Sequence, residues 1–127
     1  AFAGEAVTEA LNRIKPPYNI SQPTQDLLLK ALKETDAVNE KIREIVSLRD
    51  LLAANLSKLP SVKKVYPSDA NFLLVKMDNA RAVYESLLSL GIVVRDRSKV
   101  VLCNDCLRIT VGKKVENDEL LRALGIT

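Results

Sequence analysis

Cys106-Leu107-Arg108-Ile109-Thr110-Val111-Gly112 is a short β-type run with one cation set among apolar and β-branched residues. Leu107, Ile109 and Val111 alternate with Arg108 and Thr110. Successive side chains of a strand point to opposite faces, so this run predicts one face in a core and a guanidinium on the other. A guanidinium grips carboxylate or phosphate in a bidentate fork and stays charged at every relevant pH. Rooting it in a strand fixes the fork more firmly than a loop does. The plainer reading of Arg108 is a structural ion pair with a neighbouring carboxylate, or a solvated side chain. Pattern alone leaves both readings open.

Around this run the sequence reads strand, strand, helix, strand, strand, helix. Val62 to Tyr66 and Asn71 to Met77 are expected strands, joined by the turn-rich Pro67-Ser68-Asp69. Asp78-Asn79 is placed to cap a helix running through Leu90, and Gly91 supplies its left-handed stop. Ile92-Val93-Val94 reads as a buried strand ending at Arg95-Asp96-Arg97, followed by a loop over 98–105. Gly112 closes the Arg108 strand, and a last helix from Glu116 to Leu124 buries Leu120, Leu121 and Leu124. This order predicts an α+β fold, a sheet with helices on one face.

Upstream the chain reads as helices. Residues 5–14 show a partial apolar stripe of Ala6, Leu11 and Ile14, and Pro16-Pro17 ends that helix. Tyr18-Asn19-Ile20-Ser21 is expected to be extended. A second helix runs from Gln22-Pro23-Thr24 to Glu34, with Leu27, Leu28, Ala31 and Leu32 on one buried face. After Thr35-Asp36, residues 37–59 keep Val38, Ile42, Ile45, Leu48, Leu52, Leu56 and Leu59 on a three-to-four spacing. Such a helix is longer than the usual 11–12 residues, so it is expected to bridge two regions before Pro60 stops it.

Composition narrows the function classes. The 127 residues are 47% hydrophobic and 28% charged, an ordinary globular balance that can bury one core. A formal charge of +3 without a lysine-arginine block argues against nucleic acid. No apolar run approaches the roughly 20 residues that span a bilayer, and the first residues do not read as a secretory signal. The chain begins without methionine, as a fragment or a processed product does. With no histidine, imidazole acid-base chemistry and imidazole metal ligation are absent from this chain. Cys103-Asn104-Asp105-Cys106 has the spacing of half a zinc site, but no second pair completes it, so no metal is expected. A redox pair usually opens a helix, whereas this one precedes a strand.

Cys-Leu-Arg-Ile-Thr-Val-Gly at 106–112 resembles the C-terminal substrate-arginine segment of histidinol-phosphate aminotransferases, pyridoxal-phosphate enzymes of the aspartate aminotransferase fold type. Three further stretches resemble the same family in the same order. They are Pro16-Pro17-Tyr18-Asn19-Ile20-Ser21, Ser68-Asp69-Ala70-Asn71-Phe72-Leu73-Leu74 and Gly91-Ile92-Val93-Val94-Arg95-Asp96. The resemblance implies the small C-terminal domain of a fold-type I pyridoxal-phosphate transferase, with a β-β-α-β-β-α sheet preceded by helices. Residues 1–35 are then a helical remnant of the large cofactor domain with its connecting turn. Residues 36–127 are the small domain, including the bridging helix 37–59.

By the same resemblance Arg108 holds the anionic end of the substrate, and Arg95 is a second basic group converging on its phosphate. The plainer role for Arg95 is a solvated end or a weak pair with Asp96. Tyr18, Asn19 and Asn71 are expected in supporting roles, against a plain function in capping and packing. Catalysis with pyridoxal phosphate needs a Schiff-base lysine, an acidic partner for the pyridine nitrogen and a phosphate cup. The family's Ser-x-Ser-Lys and Leu-Arg-x-Gly stretches do not occur here. No catalytic residue is therefore expected in this chain, which alone is expected to be inactive.

The parent enzyme implied by the resemblance is a cytoplasmic homodimer transferring an amino group between histidinol phosphate and 2-oxoglutarate. Its partners are the small phosphate or amino-acid substrate and the rest of the parent chain, with neither nucleic acid nor membrane. Two readings of other classes compete with it: a non-catalytic α+β module that binds or senses an anionic metabolite, and a helix-sheet assembly domain.

Overall fold

A computed structural model describes residues 3–15 and 20–126. Pro16, Pro17, Tyr18 and Asn19, for which a turn was expected, lie outside the described residues. Five helices, α1 (Glu5–Ile14), α2 (Gln22–Ala31), α3 (Thr35–Leu56), α4 (Ala80–Ser89) and α5 (Lys114–Ala123), accompany four strands. The strands are β1 (Val62–Val65), β2 (Phe72–Met77), β3 (Arg95–Asp96) and β4 (Cys106–Thr110). They form one sheet in the order β1-β2-β4-β3, antiparallel at every pairing. The chain divides into two compact units, Ala1–Asn39 and Glu40–Thr127.

The second unit holds the core. Alternation along β2 sends Leu73, Val75 and Met77 to one face, and alternation along β4 sends Leu107 and Ile109 to the same face. These meet Leu52 and Leu56 of α3, Leu87 of α4, and Leu120 and Leu121 of α5 in a single buried cluster. All three helices therefore lie on one face of the sheet, as the element order predicts. Burying a leucine or valine side chain contributes about 1.5–3 kcal/mol before the entropy of ordering is subtracted, so this face holds the unit together.

Helix ends decide where the strands start. Gly91 has φ +78°, and its N–H donates to Leu88 O while the Ile92 N–H donates to Leu87 O. That pair of bonds is the Schellman closure, and it corrects one expectation. Ile92 is spent on ending α4, so Ile92-Val93-Val94 forms no strand, and only Arg95–Asp96 pairs with β4. Val94 is buried and Val93 exposed. Gly125 and Ile126 close α5 in the same way, on Arg122 O and Leu121 O. At the other end of α4, Asn79 caps through a left-handed backbone (φ 51°) with no side-chain bond, and Asp78 pairs with Lys63 Nζ at 2.7 Å instead.

The long helix is also shorter than its periodicity predicts. Lys58 and Leu59 bond three residues back, to Asn55 and Leu56, so α3 tightens after Leu56 and delivers Leu59 to the core from a turn. In the first unit, α2 likewise ends at Ala31 rather than Glu34, because Lys33 and Glu34 bond three residues back. The expected burial of Leu27, Leu28, Ala31 and Leu32 does not occur: all are exposed, together with Leu29. Neither α1 nor α2 buries a residue, since two ten-residue helices offer too little apolar surface to close a core of their own.

The exit from β4 is pinned by one side chain. Asn117, buried on α5, accepts from the Gly112 N–H at 2.9 Å and donates to Gly112 O at 3.0 Å. Glu116 Oε2 accepts the Lys113 N–H at 2.7 Å, so α5 starts at Lys114, before the Glu116 expected from sequence. A Cβ on residue 112 would lie 2.7 Å from Glu116 Oε2 and 2.9 Å from its Cβ, which is why the chain turns here on glycine.

Asn117→Ala leaves both backbone groups of Gly112 without a partner in a half-buried place. It should cost about 1–3 kcal/mol, read as a lower urea midpoint at unchanged slope. A midpoint within error of the parent would show that the clamp contributes nothing.

Candidate anion-binding site

Strand β4 lies between β2 and β3, and Arg108 is near its middle. Leu74 stands directly opposite Arg108 on one side and Arg95 directly opposite on the other. Directly opposed residues of an antiparallel pair share a face, with Cβ atoms about 4.5–5.5 Å apart. Leu107 and Ile109 enter the core, so Arg108 and Arg95 project from the face opposite α3, α4 and α5. Arg108 is half-buried there and Arg95 is exposed.

Two arginines thus stand opposite each other in register. Among the described residues neither Arg108 nor Arg95 is in an ion pair. The structural-pair reading of Arg108 therefore has no partner to support it. Nor does Arg95 pair with its neighbour. Asp96 is one residue on and points to the helical face, where its carboxylate lies 3.8 Å from Arg81 Nη1. Ser98 beside it, donating its backbone N–H at 2.8 Å, and then Arg81 hold that carboxyl below the usual range. A depressed carboxyl stays ionised around neutrality, so its contribution to stability is present there and is lost only as pH falls through the acid range.

Like charges directly opposed across strands destabilise by up to about 1 kcal/mol. Other cations extend this face. Lys76 stands opposite Cys106, two residues from Leu74, and Lys64 stands opposite Lys76 with its Nζ over the Tyr66 ring. The open face of the sheet is thus a cationic surface, and an anion bridging Arg108 and Arg95 turns a repulsion into two charge-assisted contacts.

Several side chains that sequence reading left without a role prepare this position. The Phe72 ring centroid is 5.1 Å from Arg108 Cζ, close enough for a cation–π contact worth about 0.5–2 kcal/mol. Phe72 is held in turn by its approach loop. Ser68 Oγ donates to Phe72 O at 2.6 Å and accepts the Ala70 N–H at 3.1 Å. Arg49, from α3, donates to Ala70 O at 3.4 Å, and the Val111 N–H donates to Asn71 O at 2.9 Å. Asn71 therefore sits just before β2 and ties it to the strand of Arg108 through its backbone. The signal that reaches Phe72 is parity. It shares a face with Leu74 and Lys76, hence with Arg108, once β2 and β4 are paired.

Cys103 and Cys106 are both free, joined across a turn by the Cys106 N–H donating to Cys103 O at 3.1 Å. Burial, with Cys103 beside it, pushes the Cys106 thiol above its ordinary value, the reverse of an activated cysteine. The described residues form no cluster of metal-binding side chains, and no described helix is long and apolar enough to cross a membrane. Iodoacetamide at neutral pH should modify the half-buried Cys103 first and reach Cys106 only in denaturant, as peptide mass spectrometry would report. Equal labelling of both in the native protein would contradict this burial.

A sequence profile described as aminotransferase class I and II matches residues 1–124. A histidinol-phosphate aminotransferase of Cytophaga hutchinsonii is 45% identical over 124 residues, which cover 98% of this chain and 36% of the relative. Among solved structures, the histidinol-phosphate aminotransferase of Clostridium acetobutylicum superposes with a TM-score of 0.84 at 26% identity, over 94% of this chain and 36% of that one. The enzyme of Sinorhizobium meliloti, solved in complex with pyridoxal-5'-phosphate, gives a TM-score of 0.76 at 27% identity, over 94% of this chain and 33% of that one. The chain thus spans about a third of the length of the relatives it matches. With the match running through nearly all of its sequence, the chain belongs to the class I and II aminotransferase family.

Proposed function

We propose that this chain is the substrate-anchoring portion of a histidinol-phosphate aminotransferase. The whole enzyme moves an amino group between histidinol phosphate and 2-oxoglutarate in histidine biosynthesis, working as a cytoplasmic homodimer. In it, residues 1–35 belong to the large cofactor domain and residues 36–127 form the small domain. The observation that carries this reading is the directly opposed, unneutralised pair Arg108–Arg95 on the open face of the sheet. The names of the relatives at about this level of identity support the same substrate.

The chemistry follows from charge and geometry. A phosphate ester carries about −1.5 to −2 at neutral pH, so it suits two guanidiniums better than one. Arg108 takes the anion in its fork, and Arg95 adds the second charge from the neighbouring strand. The distal carboxylate of 2-oxoglutarate, a single negative charge, is held chiefly by Arg108. Fixing the anionic end orients the rest of the substrate and removes the freedom that would otherwise oppose reaction. Asn71 supports this position by tying β2 to β4, and Tyr18 and Asn19 are assigned supporting contacts from outside the described residues.

Pyridoxal phosphate, when bound, supplies the electron sink for amino transfer. The residues present here do not fit its anchor. Schiff-base lysines are desolvated, whereas every described lysine is exposed except the half-buried Lys76, which faces outward from the sheet. The cofactor, its lysine and its phosphate cup are assigned to the rest of the enzyme. A free-standing anion-binding module is the weaker reading, because the aminotransferase match runs through both units.

In the full-length enzyme, Arg108→Ala should raise KM for both substrates by roughly 30-fold or more, the cost of removing one partner of a desolvated charge contact. The cofactor's absorbance should be unchanged. Arg95→Ala should raise KM for histidinol phosphate more than for 2-oxoglutarate. Steady-state kinetics with each substrate varied in turn reads both effects. Parent-like KM values for Arg108→Ala would overturn the assignment.

A further inference from the structure

We propose that Phe72 is a positioning residue for anion recognition: its ring sets the orientation of the Arg108 guanidinium and leaves the terminal nitrogens to make the grip. This inference rests on Arg108 being the substrate anchor.

The side chain of Arg108 has little else to orient it. Among the described residues no carboxylate pairs with it, and its Nε is buried with no hydrogen-bond partner. Burial of Nε alone leaves the terminal nitrogens of a long side chain unheld, and Arg95 stands opposite with like charge. Without a third contact the fork would be dispersed before any anion arrived. Phe72 supplies that contact, with its ring centroid 5.1 Å from Cζ. It does so from the diagonal position on β2, since Phe72 pairs with Thr110 and Leu74 with Arg108.

The platform is itself fixed. Ser68 Oγ bonds the Phe72 carbonyl at 2.6 Å, and strand pairing holds the same residue from the β4 side. A contact between rigid elements orients a ligand-binding group better than one on a mobile loop. The sealed Nε adds the direction. With that N–H turned into the protein, the side-on fork formed by Nε and one terminal nitrogen is closed, and the end-on fork formed by Nη1 and Nη2 remains. Arg95 approaches from the strand beyond, so both cations converge on an anion held end-on.

A group that orients the anchor acts on affinity for the anion, not on the chemistry that follows. In the full-length enzyme, Phe72→Leu should raise KM for both substrates by roughly 3- to 30-fold, the size of a cation–π contact, with the change in KM rather than kcat. Phe72→Trp, which keeps an aromatic face, should hold KM near the parent value and keeps the question decidable if the leucine variant is unstable. The decisive measurement is a double-mutant cycle with Arg108→Ala.

If Phe72 acts through Arg108, the leucine substitution loses its effect on KM in the Arg108→Ala background. An effect that persists there, or that tracks a lowered melting temperature and is not rescued by Trp, overturns the positioning role while leaving the anchor intact. If Arg108→Ala alone leaves KM unchanged, the anchor assignment falls, and this inference falls with it.

Discussion

The structure depends on the register of β4 between its two neighbours. That register does two things at once, and they cannot be separated. It sends Leu107 and Ile109 into the cluster with Leu73, Val75 and the three helices, and it sets Arg108 opposite Arg95 on the bare face. A slip of one residue would turn every side chain over, placing a guanidinium in the core and two apolar residues in water. Burial of the core therefore holds the cations where they are. Their mutual repulsion, at most about 1 kcal/mol for a directly opposed pair, is small against the burial of several large aliphatic side chains.

The exit from β4 and the entry to β2 are fastened by polar groups whose partners are backbone. Asn117 and Glu116 fix the chain just after β4, where Gly112 leaves no room for a Cβ. Ser68, Arg49 and the Val111 N–H fix the chain just before β2. These two fastenings lie at the same end of the sheet, since β2 and β4 are antiparallel, Phe72 pairs with Thr110, and Val111 reaches back to Asn71. The end of the sheet that carries Phe72 is therefore held from both strands, with Thr110 two residues from Arg108.

Period-two alternation made the strands legible, and the glycine after Leu90 marked the end of α4 at the right residue. The face that Arg108 occupies was legible for the same reason, because one cation inside an alternating run has only one face to take. Arg95 opposite it was named only through the family resemblance, since the pairing of β3 with β4 is a long-range register that residue pattern does not encode. The run Ile92-Val93-Val94 failed as a strand because three apolar β-branched residues carry no record that the first N–H is taken by Leu87 O. Leu27, Leu28 and Leu32 failed as buried residues for a different reason. A helical stripe states that a face seeks cover, but not that the cover lies within the same 127 residues.

The same separation of cover from pattern explains why the two arginines sit where they do. Every helix of the second unit packs on one face of the sheet, so the other face carries Arg108 half-buried, at a smaller desolvation cost than a place among the helices would impose. An unpaired guanidinium pair buried among helices would have to be neutralised or lost. On the other face of the sheet Arg108 is half-buried and Arg95 exposed, held opposite each other by the pairing of β3 with β4. Half-burial of Arg108 against Phe72 combines a ring contact with partial exposure of the side chain. The fold thus stores the placement of these two cations in strand register and sheet sidedness, two properties that its apolar residues enforce.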